Sequence, residues 1–316
     1  MLKAYLFGAL AVLFVLPQLV FAAYPDRGIT FIVPYAAGGG TDTQARIAAA
    51  TLKTFLNQSV VVVNKTGGNG VIGNAEAARA RPDGYTLGFL AYPDLVIPPV
   101  YKKTPYKWED FIYIATFNST PVCLILARNA PCKTLEAFIS YAKANPGKLT
   151  AGIASDSHML GLVQLETKAG VSTTPVVYKS GSETLNALLG GHIDCAMIAP
   201  QFGIQAMQQG LPVVGVTSKT RVSAMQDVPT FKEAGFDIVM MMNRILVAPR
   251  GTPADVIKTL NAACQEAAKD PKLIESVTTA GDEFTYMNSK ELENYIHEMN
   301  KSHLPVVRDN LKKFAR

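Results

Sequence analysis

The stretch FIVPYAAGGGTDTQA, residues 31–45, sets an apolar run against a proline, then three consecutive glycines, then a threonine and an aspartate that open a helical pattern. The run ITFIVPY reads as a buried strand. Positions 42–56 read as a helix, because Ala45, Ala48, Ala49, Leu52, Phe55 and Leu56 are spaced to share one face. Thr41 with Gln44 fits a capping box, and Asp42 puts an acid in the first turn. Glycine carries no Cβ, so Gly38, Gly39 and Gly40 let the backbone turn tightly and let a ligand approach the amides. The first N–H groups of a helix have no partner within it, and the helix dipole stands behind them. The loop is therefore suited to hold a carboxylate or phosphate on backbone rather than on side chains. An ordinary glycine-rich connector is the plainer reading. The position at the C-terminal end of a strand, where open α/β sheets bind ligands, favours the binding role.

Outward from this loop the pattern alternates. SVVVV (59–63) is nearly all β-branched, a helix follows over 71–80, Pro82-Asp83-Gly84 is a turn, and YTLGFL (85–90) is a third strand. Strand–helix–strand–helix–strand implies a parallel sheet covered on both faces. A second such unit follows, with strands at 148–154, 174–178, 192–199 and 211–217 and helices at 158–169 and 182–189. Helices near 253–269 and 289–313 close the chain. PVCLILA (121–127) and NRILVAP (243–249) read as crossings out of the first unit and back. Two crossings make the first domain discontinuous: 23–124 with 247–316, around a second domain of 125–246.

The N-terminal segment stands apart. One early lysine, an apolar run from Leu6 to Phe21 and small residues at its end read as a secretory signal peptide over 1–22, cut after Ala22, rather than a retained anchor. That predicts export to the periplasm. Removing it leaves about 290 residues, two domains on the usual length prior. Of the 316 residues, 48% are hydrophobic and 17% charged, which fits a well-cored soluble protein. The net charge of +5 comes without a run of Lys or Arg, so nothing points to nucleic acid.

Other motifs compete for attention. Gly68-Asn69-Gly70-Val71-Ile72-Gly73 matches G-x-G-x-x-G, with Asp94 about twenty residues on. Four residues separate Val63 from Gly68, so the first glycine does not follow the strand directly, and a tight turn that packs a helix is the better reading; no cofactor is expected. Asp156, Ser157 and His158 are triad residue types, but consecutive side chains cannot form a relay. They do sit where a second-unit strand gives way to a helix, as does YKSGSE (178–183), so their hydroxyls and amides face the first unit's loop. His158 is read either as an anion donor or as a capping or solvent-facing residue. His192, His297 and His303 lack metal-ligand spacing, and none of Cys123, Cys132, Cys195 and Cys264 falls in a CxxC pair, so no metal site is expected. Cys123 and Cys132 are nine apart across a strand-to-helix connection, a candidate disulfide in an exported chain.

Taken together, YPDRGITFIVPYAAGGGTD, VVVNKTGGNGVIG, ARPDGYTL, YAKANPGKLTAGIASDSH, VVYKSGSETLNALLGGHID, DVPTFKEAG and LVAPRGTPADVIKTLN resemble the tripartite tricarboxylate transporter substrate-binding family, also called the Bug family of extracytoplasmic solute receptors. The resemblance spans nearly the whole chain after the leader. It implies a two-domain periplasmic-binding-protein fold of type II, each domain a mostly parallel sheet flanked by helices, with a ligand cleft between them. It implies a monomeric receptor, not an enzyme, that takes a small mono-, di- or tricarboxylate, aromatic acids included, and delivers it to integral-membrane transporter subunits. Carried onto this chain, the family's binding loops are Tyr35, Ala36, Ala37, Gly38, Gly39, Gly40, Thr41 and Asp42; Ser155, Asp156, Ser157 and His158; and Lys179, Ser180, Gly181 and Ser182. Two departures stand out: Ser180-Gly181 replaces a glycine pair, and Ile198, Ala199 and Pro200 stand where several relatives place an Asp or Asn near the cleft. Without that acceptor an acid lacking an amino group is expected. The rival readings are an exported serine hydrolase using Ser157 or Ser182, and a receptor that feeds a sensor protein instead of a permease.

Overall fold

The computed structural model describes residues 24–315, so the expected signal peptide lies outside the described residues. The first lobe begins with β1 (Ile29–Val33), α1 (Gly40–Leu56), β2 (Val60–Asn64), α2 (Val71–Arg79), β3 (Thr86–Tyr92), α3 (Pro98–Tyr101) and β4 (Phe111–Thr120). The second lobe holds β5 (Cys123–Leu126), α4 (Leu135–Ala144), β6 (Thr150–Ile153), α5 (Asp156–Ala169), β7 (Thr174–Val177), α6 (Gly181–Leu189), β8 (Cys195–Ile198), α7 (Pro200–Gln208) and β9 (Val213–Val216). The chain then returns to the first lobe through β10 (Met242–Pro249), α8 (Ala254–Ala267), α9 (Pro271–Thr279), β11 (Glu283–Met287), α10 (Ser289–Asp309) and α11 (Leu311–Phe314).

These elements build one six-stranded sheet, β11-β4-β10-β3-β1-β2, and one five-stranded sheet, β7-β6-β8-β5-β9. Cys123 and Leu124 pair in the second sheet and Met242 to Leu246 in the first, the opposite of what the sequence-based bounds imply. The sheets are also mixed, not mostly parallel. β1 pairs in parallel with β2 and β3, and β6 with β7 and β8. β10 runs against both β3 and β4, β11 against β4, and β5 against both β8 and β9. The reason is topological. Most strands end at the cleft, but β5 and β10 each bring the chain into a lobe from the hinge and run away from it, and β11, entered from α9, starts beside the cleft end of β4 and runs the same way as β10.

The core follows the periodicity with one exception. Ala45, Ala48, Ala49, Leu52 and Leu56 of α1 are buried against β1 and α8, while Phe55 is exposed on the outer face. Strands β4 and β10 are buried along almost their whole length because each is flanked by two others. The glycine loop before α2 packs that helix, as its spacing suggested. A Cβ on Gly73 would meet Lys65 O and Pro34 Cα, both at 2.6 Å, so only glycine lets α2 lie against the ends of β1 and β2. All four cysteines are free and buried, which corrects the candidate disulfide. The Cys123 thiol instead lies 3.3 Å from the carbonyl of Ile198, and burial pushes its pKa up to about 12.

Candidate functional site

Helix α1 starts at Gly40 with Gly39 as its N-cap, and no side chain caps it. Thr41 and Gln44 therefore form no capping box. The loop is held from below instead. Asp42 is buried, and its carboxylate accepts the N–H of Gly38 at 2.8 Å, two nitrogens of Arg46 at 2.9 and 3.0 Å, and the amide of Asn64 at 2.9 Å. Burial alone would raise the pKa of Asp42, but the bonds from Arg46, Gly38 and Asn64 outweigh it and hold the group below the usual carboxylate range. Asp42 is thus the loop's anchor rather than a wall of the cleft. The first-turn amides of α1 remain open, because no carbonyl stands four residues behind them.

Three strand–helix junctions of the second lobe face this loop. At α5, Ser155 accepts the N–H of His158 as N-cap, and the N–H of Ser157 is taken at 2.6 Å by Asp94 of the first lobe. One helix N-terminus is therefore already filled by an internal carboxylate. Burial raises the pKa of Asp94, and hydrogen bonds from Ser157 and the charge of Arg244 hold part of that rise back. His158 accepts the N–H of Ala154 on Nδ1 at 3.2 Å, so its proton sits on Nε2, free to donate. Burial, with the Arg244 charge behind it, pushes its pKa down to about 3, so the ring is neutral at physiological pH. At α6, Ser180 caps Glu183, and the carboxylate of Glu183 returns to the N–H of Lys179 at 2.9 Å. The third junction is α7, whose Gln201 and Phe202 line the same cavity.

Between the lobes lies a cavity of about 190 Å³. Its wall includes Tyr35, Ala36, Gly38, Gly39, Gly40 and Thr41 from the first loop, Ser155 and His158 from α5, and Lys179 to Ser182 from α6. Ala37, Asp42, Asp156 and Ser157 are not part of that wall. Asp156 lines a neighbouring cavity of about 620 Å³ and accepts the hydroxyl of Tyr101 at 3.0 Å across the lobes. The structure adds residues that the binding-loop reading left out, Asp94 having been marked only as the acid after the G-x-G-x-x-G motif. Arg244, Asp94, Gln201 and Phe202 all line the cavity. Asp94 also bears on the missing acceptor at 198–200: a carboxylate is present on this wall after all, supplied by the other lobe. The one available signal for Arg244 was an arginine in the otherwise apolar run NRILVAP. A larger surface groove of about 890 Å³ lies on the first lobe beside Arg27, Arg79 and Arg81, but none of the junction amides reaches it.

The lobes are closed on each other. Besides the Asp94–Ser157 and Tyr101–Asp156 bonds, Lys313 of α11 pairs with the buried carboxylate of Glu166 on α5. Among the described residues no helix is long and apolar enough to cross a membrane.

Comparison with known proteins agrees with this architecture. A family model described as tripartite tricarboxylate transporter family receptor matches residues 44–310. A UPF0065 protein encoded in the gbd 5′ region of Cupriavidus necator is 34% identical over 286 residues, 90% of this chain and 88% of the relative. The structure of the periplasmic binding protein BugD superposes with a TM-score of 0.79 at 29% identity, covering 90% of this chain and 98% of BugD. MatC from Rhodopseudomonas palustris, solved with bound malate, superposes with a TM-score of 0.79 at 27% identity, covering 90% of this chain and 100% of MatC. The chain belongs to the tripartite tricarboxylate transporter receptor family.

Proposed function

We propose that this protein is a periplasmic receptor that captures a small organic carboxylate between its lobes and hands it to the membrane subunits of a tripartite tricarboxylate-type transporter. The observation that carries the reading is the convergence of open amides from α1 and α6, on opposite lobes, with the Nε2–H of His158 and the cation of Arg244 on one cavity. Donors and positive potential from both lobes favour an anion, and they meet it together only when the lobes are shut. Binding then draws the open–closed equilibrium toward the closed form. A cavity of about 190 Å³ suits a small acid. MatC with malate is a relative whose ligand has this chemistry.

The hydrolase reading finds no support in the geometry. No hydrogen bond joins a histidine to Ser157 or Ser182 among the described residues, and His158 spends Nδ1 on Ala154.

A thermal-shift screen of the protein from residue 23 onward, against mono-, di-, tri- and aromatic carboxylates, tests the function. A binding acid raises the melting temperature in proportion to RT ln(1 + [L]/Kd). No shift with any acid at millimolar concentration would refute it. Co-purification with the cognate permease, enhanced by the acid, tests the handover.

A further inference from the structure

The two sheets leave four edge strands, β2 and β11 on the first lobe and β7 and β9 on the second. An edge strand offers unpaired N–H and C=O groups to any chain that can lie beside it. Three of these edges are protected. On β7 the N–H groups of Thr174 and Tyr178 turn inward, to Leu149 and Ile153, so the outward position falls to Pro175, which has no N–H to offer. β9 is covered at Val216, which exchanges hydrogen bonds with Pro229 and Phe231 at 3.1 and 2.9 Å. In β11 the register with β4 slips between Phe284 and Met287, and such an irregularity bends an edge away from a straight partner.

Strand β2 has none of these devices. VVVVN runs in unbroken register with β1. Ser59 accepts from Ile29 and Lys65 donates to Val33, so the odd-numbered residues face β1. Val60, Val62 and Asn64 therefore aim their N–H and C=O groups outward, and no backbone partner meets them among the described residues. Val61 stands beside Thr30 in the ladder, and Thr30 and Ile72 both line the groove of about 890 Å³. Val61 and Ile72 are 53% and 56% exposed, so edge and groove form one apolar surface. Its charge is unbalanced. Glu76 in the groove is taken by Lys65 at 3.1 Å, and Asp83 by Arg27 at 3.3 Å. The side chains of Arg79 and Arg81, exposed on the same wall, have no hydrogen-bond or ion-pair partner among the described residues. Two free guanidiniums beside an apolar strip and an open strand edge fit an extended segment that alternates apolar and acidic side chains. A second copy of this chain, net positive itself, brings no surplus of acid.

We infer that the β2 edge and the arginine-lined groove beside it dock an extended acidic segment of the transporter's membrane subunits, which joins the first sheet as a further strand. The inference rests on the handover reading above and gives it a surface. Main-chain hydrogen bonds along β2 hold the segment, and Arg79 and Arg81 steer and orient it. The surface is separate from the ligand cavity, whose wall includes none of Val60, Val62, Arg79 and Arg81.

Binding of the receptor to the cognate membrane subunits in nanodiscs, read by interferometry, tests this together with amide hydrogen exchange on the same complex. In the complex the amides of Val60, Val62 and Asn64 should slow roughly tenfold or more, while those of Val61 and Val63, already in the ladder, stay as they are. Val62→Pro removes one outward N–H and no ladder bond. Arg79→Glu/Arg81→Glu reverses the charge. Each should weaken docking roughly tenfold or more and leave acid binding unchanged. Wild-type docking should also weaken between about 50 and about 500 mM sodium chloride, and that of the arginine variant should not. Unchanged docking in either folded variant, or outward amides that stay unprotected in the complex, overturns this inference alone. A dimer in sedimentation that Val62→Pro abolishes assigns the edge to a second copy and overturns it too. A wild-type receptor that fails to bind the subunits overturns the handover reading with it. If Val62→Pro does not fold, the arginine variant and the exchange pattern decide.

Discussion

Asp156 offers the sharpest quantitative test. It opens α5, is buried between the lobes, and accepts the Tyr101 hydroxyl. Burial, then the nearby carboxylate of Asp94, raises its pKa from 3.8 to about 7. A carboxyl raised in the folded state favours its protonated form there. Its contribution is fully present below the unfolded pKa and is lost as pH rises through the folded one, so the window runs from about pH 4 to about pH 7. A shift of about three units at 1.36 kcal/mol each corresponds to at most roughly 4 kcal/mol of stability lost across that window. Asparagine keeps the acceptor oxygen for Tyr101 and cannot ionise. Asp156→Asn should therefore melt near the wild-type temperature at pH 4.5 and several degrees above it at pH 8, at about 2–4 °C per kcal/mol. Melting curves of both proteins at half-unit steps of pH, without ligand, measure the difference directly. Parallel profiles, with a constant offset from pH 4.5 to 8, would refute the argument that Asp156 is held protonated by its surroundings.

Other expectations follow from single contacts. Gly40→Val places a branched side chain 3.0 Å from Arg244 Nη2 and across the first-turn amides, so carboxylate affinity should fall at least tenfold, about 1.4 kcal/mol, with an unchanged circular dichroism spectrum. Lys313→Met leaves Glu166 with Thr173 as its remaining partner and should cost about 1–3 kcal/mol in urea denaturation. Malate should bind at least tenfold more tightly than aspartate in a calorimetric competition, because Ile198, Ala199 and Pro200 offer no side-chain acceptor for an ammonium and Asp94 already has Oδ1 committed to Ser157. Dithiothreitol should not move the melting temperature, since the four thiols are buried and unpaired.

Much of the fold could be read without coordinates because its signals are local. The α1 face repeats at helical spacing, β2 is a β-branched run, and glycines mark where backbones turn or approach. The elements that escaped notice have mixed signals. The strand β4 ends in Asn118, Ser119 and Thr120, which look like a loop but are buried because Asp282 and Arg244 bond them from other parts of the chain. Strand β11 is half-buried at every position, so it shows no alternation. Thr41 and Gln44 matched a capping box in spacing alone, and the backbone placed Gly39 at the cap instead.

For the candidate site the division is similar. Sequence alone marked the three glycine- and serine-rich junctions, since an open helix N-terminus is a property of a few consecutive residues. It could not show that Ser157 turns its amide to Asp94, sixty-three positions away, or that Asp156 faces a different cavity. Nor could it show that Arg244 reaches the cavity wall beside Gly40. Those facts depend on which strand lies next to which, and on two crossings that bring residues from both ends of the chain to one edge. Charge in a cleft is set by packing across the sheet, and packing across the sheet exists only once the chain has folded.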